Sequence, residues 1–320
     1  EPMCESAVAR LEAAGRVLGP FDSPPDRWRR HLPDADALLV RSYARVTDED
    51  MAAAPKLKVI GRAGVGLDTI DRGAARRHGI EVVYTPAAST RAVAELTIGF
   101  IIALQRHILD SDKAARDGRF IEARSRPGPK ELAQQTIGII GMGRIGRAVG
   151  RICSRGFGGK VLFNDIIPIT GLDFAAEERS KTQLYAESDI VTLHIPLTNL
   201  TRNLIDARAL AGFQPKACLI NTARGAVVDS AALAAALHQG RLAGAALDVL
   251  EIEPPRVLPG VVIDPHSCRI KASTRESKRG IGIEGECRPV RLRRECRYVA
   301  LCVGRRHERR RREDGFSPKS

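Results

Sequence analysis

Thr136-Ile137-Gly138-Ile139-Ile140-Gly141-Met142-Gly143-Arg144-Ile145-Gly146 decides the fold. A short β-branched run enters three glycines spaced GxGxxG, and a helical pattern, Arg144–Arg155, leaves them. In that setting each glycine has a task. Gly141 permits the tight turn, Gly143 lets main chain approach a pyrophosphate, and Gly146 lets the helix pack on the strand. The helix N-terminus then turns free N–H groups toward the phosphates. The next strand-like run, Val161-Leu162-Phe163-Asn164, ends at Asp165, 19 residues beyond Gly146. A carboxylate there accepts both hydroxyls of an adenine ribose and repels a 2′-phosphate. The pattern predicts a dinucleotide site that takes NAD rather than NADP.

Outward from this turn, short apolar runs alternate with helical stretches. The predicted strands are Ala37–Val40, Val59–Ile60, Val82–Tyr84, Thr136–Ile140, Val161–Asn164, Ile190–His194, Cys218–Asn221, Gly244–Asp248 and Val261–Ile263. Between them Glu5–Ala14, Arg91–Gln105, Arg144–Arg155, Lys181–Glu187 and Ser230–His238 read as helices. Parallel strands need crossover helices, so the class is α/β with a doubly wound parallel sheet of Rossmann type. Pro86-Ala87-Ala88-Ser89 marks a break, since Ser89 or Thr90 caps the long apolar helix that follows. Asp264-Pro265-His266 marks a second. The expected blocks are therefore 1–88, 89–266 holding the cofactor turn, and 267–320 as a tail, with whatever returns after 266 joining the first block.

Composition excludes other classes. The formal net charge of +13 suggests nucleic acid until it is divided. Residues 1–266 carry 34 Lys and Arg against 31 Asp and Glu, whereas 267–320 carry 17 against 7. The excess belongs to the tail, not to a face of the body, and a solvated end is preferred to a nucleic-acid arm. Four of the seven cysteines, Cys268, Cys287, Cys296 and Cys302, crowd the same tail. No CxxC occurs, so neither a metal site nor a redox pair is expected, and the default compartment is the reducing cytoplasm. No apolar run approaches the roughly 20 residues of a membrane span, and no signal peptide is read at the start.

Beyond the glycine turn, three groups carry chemistry. Leu219-Ile220-Asn221-Thr222-Ala223-Arg224-Gly225 reads as a buried strand opening into a loop with one cation. At the carboxyl end of a parallel strand, that guanidinium faces the ligand crevice and suits a 2-oxo or 2-hydroxy carboxylate. A surface ion pair with Asp229 is the alternative. Glu253 in Glu251-Ile252-Glu253-Pro254-Pro255 and His266 in Asp264-Pro265-His266 form a carboxylate and an imidazole. Such a pair raises the imidazole pKa and makes it a proton donor and acceptor near neutral pH, as hydride transfer to a ketone requires.

The order of these pieces resembles the D-isomer-specific 2-hydroxyacid dehydrogenases, over about residues 1 to 266 and a fragment near 272–284. Leu57-Lys58-Val59-Ile60-Gly61-Arg62-Ala63-Gly64-Val65-Gly66-Leu67-Asp68-Thr69-Ile70-Asp71 is similar to the substrate-loop signature, with Thr69 where Asn is common. Val93-Ala94-Glu95, the three glycines, His194-Ile195-Pro196-Leu197-Thr198, Asn221–Gly225 and Gly244–Pro255 carry the rest. The resemblance implies a flavodoxin-like substrate domain beside the cofactor domain. It makes Arg224 the carboxylate and carbonyl binder, Glu253 the partner of the imidazole and His266 the acid/base. Asp248 would hold the nicotinamide carboxamide and Asp165 the ribose. Arg144, Ile145, His194, Pro196, Thr201, Thr222 and Ala223 would complete the cofactor contacts. Main-chain N–H groups at Gly64 and Val65 would bind the substrate carboxylate. Arg41 and Arg62 are similar to the phosphoglycerate-oxidising branch and would meet a phosphate, the alternative being ordinary loop arginines. A homodimer through the cofactor domain, with 108–135 as the contact arm, is also implied.

The expected activity is NAD-dependent oxidation of a D-2-hydroxyacid, with 3-phosphoglycerate to 3-phosphohydroxypyruvate, a step of serine biosynthesis, favoured. Reduction of glyoxylate or hydroxypyruvate is the near alternative, and a non-catalytic NAD-binding protein is the alternative of another class. Two departures from the pattern motivate the latter. Only twelve residues separate Glu253 from His266, and Ser267-Cys268-Arg269-Ile270-Lys271 precedes Ala272-Ser273-Thr274. The joint change in charge, cysteine content and pattern implies a reading frame disturbed around 256–271 and lost after about 284. The first strand of the substrate domain is expected to be missing. Resequencing the source DNA tests the frame: an intact frame through this stretch refutes the disturbance.

Overall fold

The computed structural model describes residues 5–21, 26–41, 44–125, 128, 130–251, 261–263 and 298–302. They divide into two compact units, one holding residues up to Ala88 together with 298–302, the other lying within Ser89–Ala272.

In the second unit, parity along the strands explains the layers. The strands are β5 (Thr136–Ile140), β6 (Lys160–Asn164), β7 (Glu177–Glu178), β8 (Ile190–Leu193), β9 (Cys218–Asn221), β10 (Gly244–Leu247) and β11 (Val261–Ile263). Successive side chains of a strand point to opposite faces. Ile137, Ile139, Val161, Phe163, Ile190, Ile220 and Ala246 share one core, with Ala94, Ile98, Ile101 and Val149 from helices. Ile140, Leu162, Val191, Leu193, Leu219, Ala245 and Leu247 share the other, with Leu184, Leu210 and Leu233. Both faces are covered, which is why the runs are apolar throughout rather than alternating. The strand order is β11-β10-β9-β8-β5-β6-β7, all parallel. It reverses direction at β5, placing a crevice between the carboxyl ends of β5 and β8.

The first unit builds on β1 (Arg16–Phe21), β2 (Ala37–Val40), β3 (Val59–Arg62), β4 (Glu81–Tyr84) and β12 (Tyr298–Cys302), in the order β1-β12-β2-β3-β4. Its helices are α1 (Glu5–Glu12), α2 (Asp26–Arg29), α3 (Asp48–Ala52) and α4 (Arg72–Arg77). Leu38, Val40 and Ile60 of the sheet pack with Trp28, Leu32, Met51 and Ile70. Thr47 and Asp50 form a capping box that starts α3, and the buried Asp50 carboxylate also accepts from Arg29 Nε at 2.7 Å.

Several boundaries differ from the sequence reading. β8 stops at Leu193 and β10 at Leu247, one residue short of the predicted ends. The helix after the glycine turn is α-helical only over Arg144–Arg151 and widens into a π turn over Ile152–Gly156. β1 is not among the strands expected from the sequence, its apolar run being interrupted by Gly19-Pro20. It is an edge strand, where proline is tolerated, and its ladder shifts register between Leu18 and Phe21 with Gly19 at φ +115°. The tail was expected to lack regular structure. Five of its residues form β12, which pairs in parallel with β1 on one side and β2 on the other. It stands where a flavodoxin-like order, 2-1-3-4-5, has its first strand. Ending the chain after residue 284 therefore strips β1 of its ladder partner. The expected result is loss of the first unit's cooperative unfolding while the second unit's transition persists, read by scanning calorimetry.

Candidate active site

The remaining helices all belong to the second unit: α5 (Thr90–Gln105), α6 (Ile108–Arg116), α7 (Phe120–Arg124), α8 (Arg144–Arg151), α9 (Lys181–Glu187), α10 (Ala207–Ala211) and α11 (Ser230–His238). The glycine turn joins β5 to α8. Gly141 has φ +95°, and a Cβ there would lie 2.5 Å from His194 O. A Cβ on Gly146 would lie 2.1 Å from Gly141 O. At Gly143 a Cβ would meet nothing within 4 Å, and this residue begins α8 without a side-chain cap. An uncapped helix start with open space before its main chain fits a pyrophosphate.

Asp165 follows β6 and is tied to the turn: Met142 N donates to its Oδ2 at 2.7 Å, and Ile166 N to its Oδ1 at 2.7 Å. Arg144 and Ile145 open α8 beside it. His194 ends the run of β8, with Nε2 3.1 Å from Thr192 Oγ1. The residue as a whole is half-buried, but Nδ1 is fully buried, and burial pushes the imidazole pKa down to about 3. It is a neutral ring at pH 7. Thr201 Oγ1 donates to Pro196 O at 2.7 Å and accepts from Thr198 N at 2.8 Å, which closes the loop that follows.

Arg224 lies at the carboxyl end of β9 in extended backbone, half-buried, with Nη1 donating to Ala223 O at 2.6 Å. Asp229 caps α11, accepting from Ala231 N and Ala232 N. Thr222 Oγ1 lies 3.1 Å from Thr97 Oγ1, a buried residue of α5 that the sequence reading did not single out. Asp248 N donates to Asn221 O at 3.0 Å, so the ends of β9 and β10 are coupled. The two loops interlock further on: a Cβ on Gly225 would lie 2.0 Å from Leu250 C. A cavity of about 10 Å³ remains among Asn221, Gly225, Leu247, Leu250 and Glu251, at the lower limit for one water. Glu253 and His266 lie outside the described residues.

In the first unit, Arg62 ends β3 and Arg41 follows β2, whose Val40 pairs with Arg62 in register. Arg62 is buried; its Nε donates to Gly66 O at 2.9 Å, and its guanidinium lies flat against Gly64. It thus braces the loop that holds Gly64 and Val65. Val65 is exposed at the tip.

Residues 98–268 match the NAD binding domain of the D-isomer specific 2-hydroxyacid dehydrogenases. The chain is 38% identical over 268 residues to a hydroxypyruvate reductase of Thermotoga maritima, covering 81% of this chain and 85% of that one. The chain belongs to the D-isomer specific 2-hydroxyacid dehydrogenase family. The dehydrogenase is also 38% identical over 290 residues to a D-3-phosphoglycerate dehydrogenase of Methanocaldococcus jannaschii, covering 88% of this chain. It spans only about half, 54%, of that relative's length. Among solved structures, D-lactate dehydrogenase from Aquifex aeolicus, complexed with NAD and lactic acid, superposes with a TM-score of 0.73 at 28% identity. That likeness covers 87% of this chain and 90% of the other. The cofactor of the dehydrogenase is NAD, and its class of reaction is NAD-linked interconversion of a 2-hydroxyacid and a 2-oxoacid.

Because Gly225 touches main chain, which cannot swing aside, Gly225→Ala should force the Arg224 loop off residues 250–251 at about 1–3 kcal/mol of stability. The expected outcome is at least a roughly tenfold loss of kcat/KM with NAD affinity within about twofold of the parent, measured by steady-state kinetics and calorimetry.

Proposed function

We propose that the dehydrogenase oxidises a D-2-hydroxyacid, with 3-phosphoglycerate to 3-phosphohydroxypyruvate, on the route to serine, as the favoured reaction. The observation that carries the reading is Arg224 at the carboxyl end of β9, in a loop coupled to Asp248 at the end of β10. A guanidinium there grips the substrate carboxylate through two N–H groups and polarises the carbonyl oxygen as it forms. NAD, when bound, would supply the acceptor for the hydride of the hydroxyl-bearing carbon. By the family resemblance His266, with Glu253 as its carboxylate partner, would take the hydroxyl proton, so that hydroxyacid and NAD would become oxoacid, NADH and a proton. Asp248 would hold the carboxamide, and Asp165 the ribose.

Two arginines at adjacent strand ends, Arg41 and Arg62, support a phosphorylated substrate. The hydroxypyruvate reductase relative, matched over 85% of its length, supports the alternative of hydroxypyruvate or glyoxylate reduction. Gly64 and Val65 supply main-chain donors for the carboxylate in either case.

Homodimerisation through the cofactor domain, with 108–135 as the arm, is supported by large apolar side chains left exposed on α6 and α7. They are Ile108, Leu109, Phe120 and Ile121. No single helix among the described residues is long and apolar enough to cross a membrane. A cytoplasmic location rests on the cysteine usage described above.

The test is NADH absorbance with 3-phosphoglycerate, and the reverse reaction with hydroxypyruvate and glyoxylate, with NAD binding followed by calorimetry. Arg224→Gln is expected to lower kcat/KM about a hundredfold or more while NAD affinity stays within about twofold. Equal loss of turnover and NAD affinity counts against the role of Arg224. NAD binding without turnover on any of the three substrates favours the non-catalytic reading.

A further inference from the structure

Asn221 is the last residue of β9 and is 1% exposed. A buried side-chain amide is costly unless both its ends are satisfied. Here Oδ1 accepts from Ala223 N at 3.0 Å, and Nδ2 donates to Arg224 O at 2.9 Å. The amide therefore bridges the turn, gripping main chain on either side of the Ala223 carbonyl. That carbonyl is the acceptor of Arg224 Nη1 at 2.6 Å. The main-chain oxygen of Asn221 meanwhile accepts from Asp248 N. Thr222, between them, is anchored by its hydroxyl to Thr97 on α5.

We infer that Asn221 is the positioning residue for Arg224: its amide sets the register of the guanidinium toward the substrate carboxylate without touching substrate. The inference rests on the reading of Arg224 as the carboxylate binder. Aspartate at 221 keeps the acceptor facing Ala223 N but sets an oxygen against the Arg224 carbonyl, so the turn must open. Alanine removes both hydrogen bonds without adding charge. A planar guanidinium held at two points is sensitive to such a shift, whereas a lysine ammonium, a point charge on a flexible stem, is not.

The experiment uses the full chain saturated with NADH and takes oxamate, a 2-oxoacid carboxylate analogue, as the probe. Oxamate and NADH affinities are measured by calorimetry, and thermal unfolding is followed alongside. Asn221→Asp is expected to weaken oxamate about tenfold or more, weaken NADH by a clearly smaller factor because Thr222 and Ala223 share the turn, and keep cooperative unfolding. Repeated in an Arg224→Lys background, the same substitution is expected to cost less than about twofold, because a residue acting through the guanidinium has nothing left to orient. Asn221→Ala carries the same comparison if the aspartate variant does not fold. Three results overturn the inference: oxamate affinity unchanged, equal losses in the Arg224 and Lys backgrounds, or oxamate and NADH affinity falling by the same factor. If oxamate does not bind the unmodified chain with NADH present, the reading of Arg224 falls, and this inference with it.

Discussion

Helix α8 runs so close to the end of β5 that no side-chain carbon fits between them. A Cβ on Gly146 would lie 2.1 Å from Gly141 O, and one on Gly141 would lie 2.5 Å from His194 O. A Cβ on Gly150 would press Phe174 at 2.7 Å, and one on Gly138 would meet Ser188 Oγ at 2.3 Å from the opposite face. This close approach sets the rest of the cofactor unit. With the helix start pinned to the strand end, its N–H groups open at the reversal of strand order. Asp165 then has only to hold Met142 N for the carboxylate and the turn to become one rigid piece. His194 stands beside that turn with its Nδ1 buried, and that burial disfavours the charged ring.

A second rigid piece stands at the ends of β9 and β10. Its members are joined side chain to main chain and main chain to main chain, with almost no free volume between them. Loops usually carry more freedom than the strands they connect. This one is immobilised at both ends, by the Asn221 amide inside the turn and by Gly225 against Leu250. The chemistry of a bidentate guanidinium demands that order, since its advantage over a point charge is directional.

Legibility in the sequence followed the strength of the physical signal. Cys218–Asn221 and Ile190–Leu193 are buried on every residue, and such runs declare themselves. The glycine turn was legible because strand, spacing, helix and acid all agree. β1 carries Gly19-Pro20, tolerated in a strand at an edge, so no unbroken apolar run marks it in residue order. β12 was hidden because its five residues sit in a stretch dominated by Arg, where composition argues for solvent. Asn221 looks like the ordinary end of a strand, since neither of its hydrogen bonds leaves a trace in residue order. Arg62 enters as a phosphate contact through the family resemblance, while its Nε donation to the Gly66 carbonyl leaves no trace in residue order.

The place of β12 imposes an order of events on synthesis. Arg16 pairs with Tyr298, and Val299 with Ala37, so the middle of the first sheet joins the two extremes of the described chain. Contacts of such separation close slowly, because the loop entropy is lost before any pairing is gained. Emerging from the ribosome, the cofactor unit has its six strands through Leu247 in hand well before residue 298 appears. The first unit must wait, with β1 and β2 presenting unpaired edges to one another and to any passing strand. Synthesis in this order makes the first unit the one begun first and completed last.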